Sequence, residues 1–177
     1  MAGELVEMVV ESVRVHMSSS RHVVILKDSE QERYLPIWVG PWEANAIALR
    51  LQGQTPERPM THDLFAAALE ELGAKVDRVV ITDLADETFF ARVHLEEGDR
   101  RAEVDARPSD ALALAVRVGA RIYADETVLE QAAWTPGETD GEGGPPAEES
   151  GDAVPDERLG VFRDFVNSLD IDLGGSR

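Results

Sequence analysis

The chain contains no cysteine. That absence removes disulfides, iron–sulfur clusters, thiolate zinc sites and a cysteine nucleophile together. Basic residues are scarce, with 17 Lys and Arg against 35 Asp and Glu and a net charge of −18. Part of the excess is local. From Thr135 onward there are 11 acidic and 3 basic residues, which leaves 24 acidic and 14 basic, or 14 − 24 = −10, for residues 1–134. An acidic domain is poorly suited to non-specific binding of a polyanion, which depends on neutralising phosphates with Lys and Arg. The opening Met1-Ala2-Gly3-Glu4-Leu5 has neither the basic nor the apolar part of a signal peptide. No apolar run approaches the ~20 residues of a membrane span, so a cytoplasmic location without membrane contact is expected. The sequence also lacks a Gly-rich phosphate loop, a pair of His on one helix and a Gly-x-Ser-x-Gly nucleophile turn.

What is present suffices for one globular domain and a tail: 177 residues, 43% of them hydrophobic. Three strands are predicted first, over 6–15, 22–27 and 34–39, with a turn at Ser18-Ser19-Ser20 and a polar hairpin at 28–31. Pro41 opens a helix that Gly53 ends, and Thr61 is the expected N-cap of a second helix. Leu64, Phe65, Ala68, Leu69 and Leu72 form the predicted apolar stripe of that second helix. The order then recurs, with strands over 76–83, 88–95 and 101–105, a helix from Pro108 to Val118 closed by Gly119, and a short helix capped by Asp125. Pro41–Leu51 aligns with Pro108–Val118 at a constant offset of 108 − 41 = 67, and Val6–Val10 aligns with Val76–Val80 at 76 − 6 = 70. Two such matches in the right order point to duplication of a β3α2 unit spanning about 5–73 and 75–133. Residues 135–157, rich in Pro, Gly, Glu and Asp, read as an acidic flexible linker. Leu159, Phe162, Val166 and Leu169 then keep helical spacing within 158–173, an amphipathic helix suited to docking on a partner protein.

Two segments carry candidate chemistry. Arg58-Pro59-Met60-Thr61-His62-Asp63-Leu64 opens the second helix, and Asp105-Ala106-Arg107-Pro108-Ser109-Asp110-Ala111 opens the third. Each sets an Arg before a Pro and places hydroxyl and carboxylate groups in a first helical turn. An Arg beside free backbone N–H groups can hold a phosphate. His62, Asp63, Asp105 and Asp110 can bind a divalent metal or serve as a general base. The same residues have a purely structural reading: Thr61 and Ser109 as caps, Asp63 and Asp110 as dipole partners, and Arg58 and Arg107 as their ion-pair partners. Glu43 occupies the place equivalent to Asp110. Trp38 and Trp42 suit a core or a subunit interface, and His16, His22 and His94 suit the surface or a half-buried strand position.

Four separated stretches resemble the bifunctional nuclease domain family, once a domain of unknown function: Tyr34-Leu35-Pro36-Ile37-Trp38-Val39-Gly40, then Glu43-Ala44, then the two Arg-Pro segments above. The resemblance covers residues from about 6 to 133, and the tail resembles the C-terminal extension of actinobacterial members. It implies an α+β fold, a duplicated β3α2 unit with a mixed β-sheet flanked by helices, usually dimeric, with DNase and RNase activity in some members. On the matching motif positions, the expected activity is a divalent-metal-dependent nuclease acting weakly on single-stranded DNA and RNA. His62, Asp63 and Asp110 would be catalytic, and Arg58, Thr61, Arg107 and Ser109 would bind substrate. Asp63, Asp110 and Glu43 would hold Mg²⁺ or Mn²⁺, with no organic cofactor. The other expectation is a non-enzymatic homodimeric module, regulatory or binding a small anion, that docks a partner protein.

Overall fold

The computed structural model describes residues 3–16 and 21–136. The turn expected at Ser18–Ser20, most of the acidic linker and the C-terminal helix lie outside them. The first meander is β1 (Leu5–His16), β2 (Arg21–Asp28) and β3 (Tyr34–Val39), followed by α1 (Pro41–Leu51) and α2 (Thr61–Glu71). The second is β4 (Lys75–Ala85), β5 (Thr88–Glu97) and β6 (Arg100–Ala106), followed by α3 (Pro108–Val118), β7 (Arg121–Asp125) and α4 (Glu126–Ala132).

The fold is α+β, with one seven-stranded sheet in the order β3-β2-β1-β7-β4-β5-β6. Strand β7 has no counterpart among the elements expected from the sequence. Its five residues sit between the two meanders, antiparallel to β1 from Leu5↔Asp125 to Met8↔Ile122 and parallel to β4 from Arg78↔Arg121 to Ile81↔Ala124. The parallel pair makes the sheet mixed, and β7 is what joins two three-stranded meanders into one sheet.

The core lies on the helix-covered face of that sheet. Val24, Leu26, Leu35 and Ile37 from the first meander and Val79, Ile81, Ala91 and Val93 from the second meet Ile47 of α1 and Leu112 and Leu114 of α3. In α3 the five consecutive residues Ala111–Ala115 are all buried. Five in a row point in every direction around a helix, so α3 is enclosed on all sides rather than on one stripe. Pro108 and Ser109 of its first turn are buried as well, and the candidate site is built there.

Helix α2 departs from expectation. No residue of it is buried, and Leu64, Phe65 and Leu72 are exposed, Leu72 at 73%. The helix lies against α3 and β4, and of its apolar residues Ala66 packs against the core. Thr61 is not the cap. It is the first helical residue, Met60 is the N-cap, and the Met60 N–H donates to Asp63 Oδ2 at 2.8 Å, half of a capping box. Asp125 does cap α4, accepting from the Thr127 N–H at 3.0 Å.

Asp28 is buried at the end of β2. It accepts the N–H groups of Glu30 and Gln31 and the Arg33 Nε at 3.0 Å, and Arg33 forks across to Glu126 of α4 at 2.6 and 3.2 Å. Asp28 therefore shapes the β2–β3 hairpin, and through Arg33 the hairpin is tied to the start of α4.

Candidate active site

Helices α1 and α3 each begin with a proline, and the residue before that proline must stay extended. Steric conflict with the proline ring keeps that residue out of the helical region. Arg107 is accordingly extended (φ −66°, ψ 142°) as the N-cap of α3, and Gly40 adopts φ −70°, ψ 158° ahead of Pro41 in α1. At Gly40 the missing side chain has a second use. A Cβ there would collide with the Glu43 carboxylate, which folds back over the start of α1.

That folded-back carboxylate opens a continuous polar chain. Glu43 Oε1 accepts from a terminal guanidinium nitrogen of Arg107 at 2.7 Å, and Arg107 Nε donates to Asp110 Oδ2 at 2.7 Å. Asp110 Oδ1 lies 3.0 Å from His62 Nε2. Three helices thus contribute to one constellation, and the two Arg-Pro segments meet in space: His62 of the first binds Asp110 of the second. Burial pushes the Asp110 carboxyl up, but the hydrogen bonds from Arg107 and His62 outweigh it and hold it below the ordinary carboxylate range. Arg107 is raised in turn by its bonds to Asp110 and Glu43.

Asp63 belongs to a different pair. Its Oδ1 accepts from Arg117 Nε at 2.8 Å, and the Arg117 side chain, only 6% exposed, also donates to the Ala113 carbonyl. Burial raises the Asp63 carboxyl, and the Met60 N–H and Arg117 together lower it further than that, to a net depression. The pair fastens the first turn of α2 to the last turn of α3. At the same end of the molecule Arg50 of α1 reaches the carbonyls of Val116 and Arg117 at 3.3 and 3.4 Å, so it serves the C-terminus of α3.

Of the other expected site residues, Ser109 is buried in the first turn of α3, while Thr61, Arg58 and Asp105 are exposed. Among the described residues Arg58 has no hydrogen bond or ion pair. The three expected metal ligands do not assemble: among the described residues no group of three or more His, Asp or Glu is placed to hold a metal ion. Asp63 is held by Arg117, and Asp110 and Glu43 share Arg107. A guanidinium occupies each carboxylate where a cation would have to sit, so the donor set does not fit a divalent ion as it stands.

Beside the polar chain runs an open cleft of about 530 Å³ between the two meanders. Arg21, His22 and Trp38 line it from β2 and β3, Phe89 from β5, and Arg107 and Ser109 from the start of α3. His62 is not among its lining residues; it connects to the cleft through Asp110 and Arg107. Arg21, His22 and Phe89 belong to no sequence motif, and only the folded sheet brings them to Arg107. Trp38 and Trp42 are not core residues, being 40% and 81% exposed. Glu87, also on the cleft wall, sits with Asp86 in the two-residue β4–β5 turn at φ 60° and 49°. Such a turn needs positive φ at both positions and favours Asn-Gly there, so Glu87 is a strained choice.

The model of the bifunctional nuclease domain matches residues 24–136. An uncharacterized protein of Mycobacterium tuberculosis is 41% identical over 167 residues, 94% of this chain and 96% of its own length. Bifunctional nuclease 1 of rice, Oryza sativa, is 26% identical over 109 residues, 59% of this chain and 33% of its own. A bifunctional nuclease of Oryza minuta matches to the same extent. The chain belongs to the bifunctional nuclease domain family.

Proposed function

We propose that this member of the bifunctional nuclease domain family hydrolyses phosphodiester bonds of single-stranded DNA and RNA beside Arg107, with His62 as the proton acceptor. The observation that carries the reading is the Glu43–Arg107–Asp110–His62 chain, in which one carboxylate holds both a cation on the cleft wall and an imidazole. The similarity to rice bifunctional nucleases supports the same reading.

The chemistry follows from the hydrogen bonds. Asp110 is ionised over the working range and accepts from His62 Nε2–H, which leaves the imidazole lone pair on Nδ1. As a water oxygen attacks phosphorus in the cleft, its proton is relayed through intervening water to His62 Nδ1, the bond to the leaving oxygen breaks, and that oxygen takes a proton from solvent. Arg107 stabilises the charge gathered on the non-bridging oxygens, and Asp110 stabilises the imidazolium that forms. Glu43 and Asp110 fix both arms of Arg107 in advance, so little is spent on ordering it. Arg58, Thr61 and Ser109 serve as further substrate contacts. A Mg²⁺ or Mn²⁺ ion at Asp63, Asp110 or Glu43 would have to displace an arginine, so water activation is assigned to His62. The protein acts in the cytoplasm as a homodimer.

A second reading has its own support: every carboxylate of the constellation is already satisfied by a cation, and residues 1–134 carry a charge of −10. Both suit a non-enzymatic regulatory or small-anion-binding module that docks a partner protein. Cleavage of labelled single-stranded DNA and RNA, in Mg²⁺, Mn²⁺ or EDTA, separates the two. The comparison is wild type against an identically purified His62→Ala/Asp110→Asn variant. Turnover lost in the variant supports the nuclease. Equal turnover by both assigns it elsewhere, and no turnover by folded wild type favours the binding module.

A further inference from the structure

We propose that Trp38, with Arg21 stacked on it, is the seat for one unpaired nucleobase, so that the cleft selects single strands by stacking rather than by charge. The proposal rests on the nuclease reading and names what that site reads. Trp38 is on β3 and 40% exposed on the cleft wall, and the Arg21 guanidinium carbon lies 4.3 Å from its ring centroid. Among the described residues the Arg21 side chain has no hydrogen bond or ion pair, whereas Arg107, also on the cleft lining, is committed to Glu43 and Asp110. A cation lying on an exposed indole, with no anion of its own, presents both a π-face and an unspent positive charge to a ligand. The ligand that uses both is a base joined to a phosphate.

This arrangement resolves the conflict between an acidic domain and a polyanionic substrate. Binding driven by counterion release needs many cations, and the cleft has two arginines, Arg21 and Arg107. Two neutralised phosphates on a single strand give a log–log salt slope of only about −1.4. Stacking supplies affinity without adding charge, and it is worth about 5- to 150-fold per base on an aromatic side chain. A base in a duplex has both faces covered by its neighbours, so Trp38 can engage only one that is unpaired.

The test is anisotropy binding of a labelled oligothymidylate and of an abasic strand of equal length and charge. The full-length chain is used in a His62→Ala background, so that the strand stays intact. The base-bearing strand is expected to bind about 5- to 150-fold tighter, with a salt slope near −1.4. Trp38→Ala is expected to bring that ratio close to one, Trp38→Phe to keep most of it, and Trp42→Ala, outside the cleft lining, to leave it unchanged. An unchanged ratio in Trp38→Ala, equal binding of both strands by the parent, or no binding of either overturns the proposal. Since Trp38→Phe keeps the ring, its ratio stays informative if the alanine variant misfolds. Trp38-dependent binding without any cleavage by wild type removes the hydrolase and leaves the base seat standing. His62-dependent cleavage with Trp38-indifferent binding does the reverse.

Discussion

His62 and Asp110 stand 48 positions apart in the chain and 3.0 Å apart in the fold, imidazole Nε2 against carboxylate Oδ1. An ionised carboxylate can only accept, so it fixes the neutral ring with its proton on Nε2. Nitrogen-15 correlation spectra of histidine-labelled protein are expected to show His62 in that tautomer. In Asp110→Ala the two tautomers are expected to mix. A wild-type His62 protonated on Nδ1 contradicts the assignment.

Arg107 bridges two helices because its fork reaches two carboxylates at once, Asp110 through Nε and Glu43 through a terminal nitrogen, both at 2.7 Å. Lysine keeps the charge but has one ammonium in place of the fork. Arg107→Lys is expected to raise KM for an oligonucleotide roughly tenfold, the effect of losing one charge-assisted contact. Steady-state kinetics on a labelled strand measures it.

Asp28, Asp63 and Asp110 all have carboxyls held below the ordinary Asp value of 3.8. In each, burial alone would raise the group, and hydrogen bonds from Arg33, Arg117 or Arg107 and from backbone N–H or His62 reverse it. The unfolded chain therefore binds more protons than the folded one at low pH, and stability rises with pH. Their contribution is complete above the unfolded value and is lost as pH falls through the lower folded values. Melting temperature followed against pH is expected to drop on that acid side, and Asp28→Asn is expected to lower it at neutral pH and flatten the drop.

The β4–β5 turn holds Glu87 at φ 60°. Glycine adopts that conformation without strain, so Glu87→Gly is expected to stabilise the fold by about 1 kcal/mol. Urea unfolding checks this. The same variant removes a negative charge from the cleft wall and is expected to tighten oligonucleotide binding, not weaken it.

The sequence carries some of this arrangement plainly. Helix α3 is legible to the residue because Pro108 and Gly119 bracket a continuous helical pattern, and Pro41 marks α1 as clearly. Strand β7 is not, since five residues between a helix stop and an Asp cap look like a connection, and only pairing with β1 and β4 makes them a strand. The apolar stripe of α2 misleads because periodicity shows that a helix has an apolar face, not that a neighbour covers it. At the site, the motifs name His62, Asp110 and Arg107, and the fold adds which of them touch. Asp63 looks equivalent to Asp110 by position, yet Arg117 claims it from the far end of α3. Arg21, His22 and Phe89 bear no local signature, because a cleft between two meanders is made by residues distant in sequence.

The most direct test of the account is kcat/KM for cleavage of labelled single-stranded RNA and DNA by His62→Ala, Asp110→Asn and the double variant, each confirmed folded. If Asp110 acts through His62, each single change is expected to cost about 10²- to 10⁴-fold, and the double little more than His62→Ala alone. Losses that multiply, or single variants as active as wild type, would contradict it.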